Sequence, residues 1–170
     1  MAAGIVDTTM SRDEGWRFFV LGRSLERADM TVRLLSARYG DRWGRYGWRV
    51  LLRCASGHDT FLRKQSGGFD QQEALAFVVT DSSFPRSVLF SLREAEHRLA
   101  EIEDQRLARM AGPAQRVLGM AVAELSYSSA IELYENLPHH LERLETVCAD
   151  AHAAITRQYF RVAVPIEWSA

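Results

Sequence analysis

The sequence predicts an all-α protein, built as an irregular bundle of about six helices. The first observation is the stretch Met10–Leu35, where apolar residues recur at alternating steps of three and four, as on one side of a helix. The second is a series of helix-start signals, in which a serine or aspartate precedes a glutamate by three residues, or a proline falls in a first turn. The third is that no pair of segments is convincing as paired β-strands.

These signals place the elements in order. The first helix starts at a Ser11–Glu14 capping box and runs to about Arg38, and Asp70–Glu73 repeats the capping pattern for a short helix. Pro85 suits the first turn of a longer helix, with Ser83 as a candidate cap. The predicted helices are 10–38, 48–64, 71–79, 85–109, 114–127 and 138–159, with a short helical piece at 130–134.

Residues 10–160 are expected to form one helical domain. Residues 1–9 are interpreted as a linker, a flexible amino terminus or a partial helix end, and residues 161–170 as a tail that packs as an extended arm. There is no apolar run long enough to predict a membrane span and no signal-peptide pattern. Cys54 and Cys148 are far apart and resemble free thiols of a reducing compartment, so we expect a cytoplasmic protein.

The charge balance gives no sign of a nucleic-acid partner. The 21 basic and 22 acidic residues give a formal net charge of −1, which does not indicate nucleic-acid binding. Lys64 is the sole lysine, so nearly all of the basic residues are arginine. Genomic base composition is the simpler explanation, and a preference for bidentate ion pairs or for recognition of phosphate or carboxylate is the other.

The first helix has an apolar seam on each of two sides. One side holds Phe18, Leu21, Leu25, Ala28, Val32 and Leu35; the other holds Trp16, Val20, Met30 and Leu34. A helix that is apolar on two sides is usually covered on both. Arg23 and Arg27 lie within the second seam, and buried arginines need partners. Glu26 is within helical reach of Arg23, and Asp29 of Arg33.

Motifs for enzyme chemistry are weak. A di-metal carboxylate bundle needs two Glu-x-x-His motifs, and Glu94–His97 is the only one in the sequence. Cys54 and His58 are four residues apart on a predicted helix, but Asp59 would point about 100° away from His58, and a buried structural thiol is the commoner case. No glycine-rich phosphate loop is present. We therefore expect neither a metal nor a cofactor.

Two long blocks carry a family resemblance. They are TTMSRDEGWRFFVLGRSLERADMTVRLL and VTDSSFPRSVLFSLREAE, and a weaker third block is DAHAAITRQYF. On these blocks the chain resembles the alpha-E domain family, bacterial helical proteins of undefined activity. Domains of that family are about twice this length and resemble two related helical halves, each with its own LGRSLERA segment. Here the segment occurs once, at Leu21–Ala28, so the chain resembles the second half alone.

The resemblance implies a role beside amide-bond chemistry. The family is associated, by gene neighbourhood and by fusion, with ATP-grasp-like and transglutaminase-like proteins. We therefore expect a non-catalytic helical accessory or interaction domain of a peptide-modification system, whose partner is one of these proteins. The missing first half of the domain, or a second copy of the chain, is a further candidate partner, and neither nucleic acid nor a membrane is expected. The alternative is an enzyme that acts on peptide amide or ester bonds.

The candidate site is a group of charged residues. It consists of Arg23, Glu26, Arg27, Asp29, Arg33, Asp81 and Arg86, and Asp13 and Glu14 are possible additions. One interpretation is a buried ion-pair network that fixes the register of the helices. The other is an arginine-lined pocket that holds a carboxylate or phosphate of a peptide or nucleotide. An Arg27→Gln substitution separates them, because it should lower stability in the first case and abolish partner activity in the second.

Overall fold

The structure of the chain, a computed structural model, describes residues 2–40, 44–65, 68–105 and 110–160. Within these ranges it contains nine α-helices and no strand, which confirms the all-α prediction; none of the described helices has the length and apolar character to span a membrane. The helices are α1 (Ala2–Thr9), α2 (Glu14–Gly40), α3 (Gly44–Cys54), α4 (His58–Lys64), α5 (Gln71–Thr80), α6 (Val88–Gln105), α7 (Pro113–Tyr127), α8 (Ala130–Glu135) and α9 (Leu137–Tyr159). The expected extended arm at 161–170 lies outside the described residues.

Four long helices form an antiparallel bundle. α2 packs on α6 and α9, and α7 packs on the same two helices, so the four close into a ring. Arg17 near the start of α2 lies 3.5 Å from Glu101 near the end of α6, and Ser36 near the end of α2 bonds to Glu145 near the start of α9. Neighbouring helices therefore run in opposite directions, as in up-down-up-down bundles. The shorter helices α3, α5 and α8 pack against the end of the bundle where α6 begins.

The bundle core follows the spacing that the sequence displays. Each long helix buries apolar residues at alternating steps of three and four, the pattern of helices that cross at a small angle. The buried positions are Leu21, Leu25, Ala28, Val32 and Leu35 of α2; Val88, Leu92, Ala95, Leu99 and Ile102 of α6; Ala114, Leu118, Ala121 and Leu125 of α7; and Leu137, Leu141, Leu144, Cys148, Ala151 and Ile155 of α9. Hence the first seam of α2 is a true core stripe.

The predicted helix 48–64 is wrong in its continuity, because the chain divides it into α3 and α4. At the break, Ser56 adopts a φ of 55°, in the left-handed region that L residues rarely occupy. A Cβ on Gly57 would lie 2.8 Å from the ring of Phe84 and 2.9 Å from the ring of Phe77. The close approach of these rings to a bare backbone is a tertiary contact, which hydrophobic periodicity does not reveal.

The amino-terminal region also differs from expectation. Residues 2–9, expected as a linker, flexible terminus or partial helix end, form α1, in which the Thr9 hydroxyl donates to the carbonyl one turn back at 2.7 Å. α2 begins three residues later than its predicted cap, Ser11. The side chain of Asp13 caps it instead, because Oδ1 accepts the backbone N–H of Trp16 at 3.0 Å.

α6 begins at Val88, three residues after the predicted start of the helix 85–109. The capping residue is Ser87 rather than Ser83, since Ser87 Oγ accepts the N–H of Phe90 at 3.0 Å. The proline that the sequence assigned to a first helical turn therefore belongs to a non-helical turn between α5 and α6. That turn, residues 81–87, holds two of the candidate site residues, Asp81 and Arg86.

Candidate functional site

The charged candidates do not form a single cluster in the structure. They separate into three surroundings. Arg27, Asp81 and Arg86 lie at the turn 81–87; Glu26, Asp29 and Arg33 line a groove between α2 and α9; and Arg23 is half-buried with its guanidinium 5.5 Å from the ring centroid of Phe19. The second seam of α2 is covered only in part, because Val20 is buried whereas Met30 is 62% exposed. The candidate set therefore mixes structural contacts with groove-lining residues.

Arg27 fastens α2 to the turn 81–87. Its Nη1 donates to the carbonyl oxygen of Pro85 at 3.0 Å, and Thr31, one turn further along α2, donates to the carbonyl of Arg86 at 3.0 Å. Ser91, buried on α6, is a second donor to Pro85 O at 3.3 Å. These bonds attach Arg27 and Thr31 of α2 to backbone carbonyls of the turn 81–87.

Asp81 organises the turn from within. Its Oδ1 accepts the backbone N–H groups of Ser83 at 2.9 Å and Phe84 at 2.8 Å, and its Oδ2 pairs with Lys64 of α4. Burial alone would raise the pKa of Asp81, but the hydrogen bonds from Lys64 and Ser83 outweigh burial and lower the pKa below its ordinary value. Ser87 Oγ also donates to the carbonyl of Asp81 at 2.5 Å. The Asp81 carboxylate is thus engaged within the fold.

A groove between α2 and α9 brings three of the candidate residues together. Its volume is about 590 Å³, within the usual range of ligand-binding sites. It is lined by Gly22, Leu25, Glu26, Asp29 and Arg33 of α2 and by Glu145, Cys148, Ala149 and His152 of α9. Leu25 and Cys148 are buried and form its floor, whereas Glu26, Arg33, Glu145 and His152 are exposed at its rim.

The charges of the groove are largely acidic. Arg33 Nε donates to Asp29 Oδ2 at 2.7 Å, and this bond raises the pKa of Arg33 above its ordinary value. Glu145 Oε1 accepts the hydroxyl of Ser36 at 2.7 Å. The third carboxylate is that of Glu26, which is exposed. Three carboxylates against one guanidinium give the groove a net negative charge when His152 is neutral.

The floor cysteine is held in its protonated thiol form by burial. Desolvation, followed by the negative charge of Asp29, raises the pKa of the Cys148 thiol to about 12. Only the thiolate attacks electrophiles efficiently. Cys148 is buried in the core, where it packs as a small apolar side chain. A buried, protonated thiol does not fit the role of an active-site nucleophile in this groove.

The other chemical candidates are also separated or engaged elsewhere. Cys54 ends α3 and His58 begins α4, so the two no longer share one helix, and His58 Nδ1 lies 3.1 Å from the neighbouring Asp59. His97 lies 3.6 Å from Glu101 on the same helix. In the described part of the chain, no group of three or more His, Cys, Asp or Glu residues is arranged to hold a metal ion.

Sequence reasoning missed the α9 side of the groove. Glu145 and His152 lie three residues before and four residues after Cys148, so all three share one face of the last helix. That spacing was readable in the sequence. The pairing of this face with the Glu26 face of α2 was not, because it depends on which helices become neighbours.

Comparison with known protein families identifies one that matches this chain. A family described as "a predicted alpha-helical domain with a conserved ER motif", named Alpha-E, matches residues 1–160, nearly the whole chain. No curated protein and no solved structure matches the chain. The chain has two Glu-Arg dipeptides, Glu26-Arg27 on α2 and Glu142-Arg143 on α9, and the first lies in the LGRSLERA segment. The extent of the match and the helical architecture agree, and the chain belongs to the Alpha-E domain family.

Proposed function

We propose that this chain is a helical accessory domain that binds, through the groove between α2 and α9, the enzyme of a peptide-modification system. The partner is an ATP-grasp-like or transglutaminase-like protein, the classes with which alpha-E proteins are associated. The observation that carries the proposal is the open groove of about 590 Å³ along the helix that contains Glu26-Arg27. A folded domain with such a groove is suited to hold a segment of another protein.

The two residues of this dipeptide have different surroundings. Adjacent residues on an α-helix point about 100° apart, so Glu26 and Arg27 serve different faces of α2. Arg27 is bonded to the carbonyl of Pro85, whereas Glu26 is exposed at the groove. We take this dipeptide as the ER motif of the family. Maintenance of the fold explains the arginine, and contact with a partner explains the glutamate.

The test is a reconstitution with candidate partners from the source genome. The chain is mixed with an ATP-grasp-like protein and, separately, with a transglutaminase-like protein, and complexes are measured by size-exclusion chromatography with light scattering and by calorimetry. We expect a complex with a dissociation constant on the order of micromolar, typical of a transient interface, and a change in the partner's turnover of peptide. The absence of both effects with every candidate contradicts the proposal.

A second arm addresses the enzyme alternative. The purified chain is incubated alone with peptide substrates and no ATP, and amide and ester hydrolysis are followed. We expect no turnover above the buffer. Hydrolysis that Glu26→Gln abolishes would contradict an accessory role and establish an enzyme in its place.

A further inference from the structure

The charges of the groove bear on the chemistry of its ligand. We propose that the groove between α2 and α9 binds an arginine- or lysine-bearing segment of the partner protein. This inference rests on the proposed function and adds the chemistry of the ligand. It replaces the arginine-lined anion pocket considered from the sequence, because Arg33 is already bonded to Asp29 and shares the groove with two more carboxylates.

Electrostatics selects a cation over an anion at this surface. The carboxylates of Glu26 and Glu145 lie on opposite walls, one on each helix, and Arg33 neutralises the charge of only one of the three acids. A phosphate or carboxylate entering the groove meets net repulsion, whereas a guanidinium or ammonium meets attraction from both walls. Glu26 is exposed, and a carboxylate can accept two parallel N–H bonds from an arginine.

The shape of the groove fits a long basic side chain with an aliphatic stem. The floor presents the buried groups of Leu25 and Cys148, with Ala149 beside them, and no charged atom lies among these three side chains. Arginine and lysine lay their methylene stems on apolar surface while the charged head stays near water and carboxylates. From Gly22 to Arg33 the α2 wall extends about 16 Å at the usual helical rise, enough for about five residues of extended peptide.

The experiment uses a defined probe and matched variants. The probe is a fluorescent seven-residue peptide of alternating arginine and alanine, and its control replaces each arginine with glutamine. Binding is measured by anisotropy for the full chain, for the double variant Glu26→Gln/Glu145→Gln, and for the control double variant Asp104→Asn/Glu135→Gln. The control removes the same charge from exposed positions outside the groove. Thermal melts check that each protein is folded, and the Glu145→Gln side chain keeps an oxygen to accept the Ser36 hydroxyl.

We expect the groove variant to lose about tenfold in affinity for the arginine peptide, and the control variant to lose less than about twofold. Affinity for the full chain should also fall as salt rises, and the glutamine peptide should not bind. Equal affinity of the two double variants would overturn the proposal, as would tighter binding of a matched glutamate peptide. A chain dimer that the probe fails to displace and that Glu26→Gln/Glu145→Gln dissociates, detected by sedimentation, would also overturn it, because a second copy would then occupy the groove.

The outcomes separate this inference from the proposed function. A complex with the ATP-grasp-like protein that is insensitive to Glu26→Gln/Glu145→Gln would overturn the basic-segment ligand and leave the accessory role standing. Binding of the arginine peptide, without a complex with any candidate partner protein, would overturn the accessory role and leave the basic-segment ligand standing. Loss of both peptide and partner binding in the groove variant, with the control variant unaffected, supports the two together.

Discussion

Arg27→Gln is the substitution that best tests how α2 is attached to the turn 81–87. It removes the bond from Arg27 Nη1 to Pro85 O, a charged donor on a carbonyl 58 residues away. Such bonds contribute about 1.5–3 kcal/mol, and here the lower end applies, because Arg27 is half-exposed and Ser91 still donates to the same oxygen at 3.3 Å. A loss of about 1–2 kcal/mol corresponds to a fall in Tm of about 2–8 °C for a chain of this length.

The assay is thermal unfolding followed by circular dichroism, with Arg33→Gln as the matched control. Arg33 bonds to a carboxylate on its own exposed helix face, so its replacement should change Tm by less than about 2 °C. Ser91→Ala combined with Arg27→Gln should lower Tm by more than the sum of the single effects, since Pro85 O then loses both donors. An unchanged Tm for Arg27→Gln, together with lost partner binding, would refute the structural role and restore Arg27 to the binding site.

Three further predictions concern the break between α3 and α4 and the floor of the groove. Gly57→Ala should destabilise the fold by about 1–3 kcal/mol in urea unfolding, because its Cβ would overlap the rings of Phe84 and Phe77, and an unchanged midpoint would contradict this packing. Ser56→Gly should stabilise it by about 0.5–1 kcal/mol, because glycine adopts a φ of 55° without strain; a lower midpoint would argue against that conformation. The folded chain keeps the Cys148 proton up to a pKa of about 12, while the unfolded thiol titrates near 9.0. The unfolding free energy should therefore decline as pH rises through that interval, less steeply in Cys148→Ala, and equal slopes for the two proteins would exclude this cause.

The long helices and their core faces were predictable because their signals are local. Buried residues in α2, α6 and α9 each recur at alternating steps of three and four. Once one core position of a helix is identified, this spacing predicts the others on the same face. Asp70 is a similar case: its side chain accepts the N–H of Glu73 at 2.9 Å, as the capping pattern predicted. By contrast, Gly57, next to the break at Ser56, packs against aromatic rings from α5 and the turn after it, and no local pattern indicates this contact.

The candidate site was only half predictable for the same reason. Glu26, Asp29 and Arg33 were identified because they are neighbours on one helix, and the Asp29–Arg33 pair has the expected spacing of four. Asp81 was grouped with them from the resemblance, but it bonds to Lys64, a residue that no local pattern linked to it. Long-range pairings of polar residues decide which charges share a site, and hydrophobic periodicity carries no information about them.

The contrast between Glu26 and Arg27 leads to a test of what the motif is for. If the pair formed one ion-pair site, both substitutions would weaken the same property. Since the two side chains leave the helix about 100° apart, we expect two separate effects. Glu26→Gln, at an exposed position on the groove, should leave Tm unchanged and lower the affinity for the partner protein. Arg27→Gln should lower Tm. Equal losses of stability from both substitutions would mean that the motif stabilises the fold alone. Glu26 would then have no role in binding at the groove.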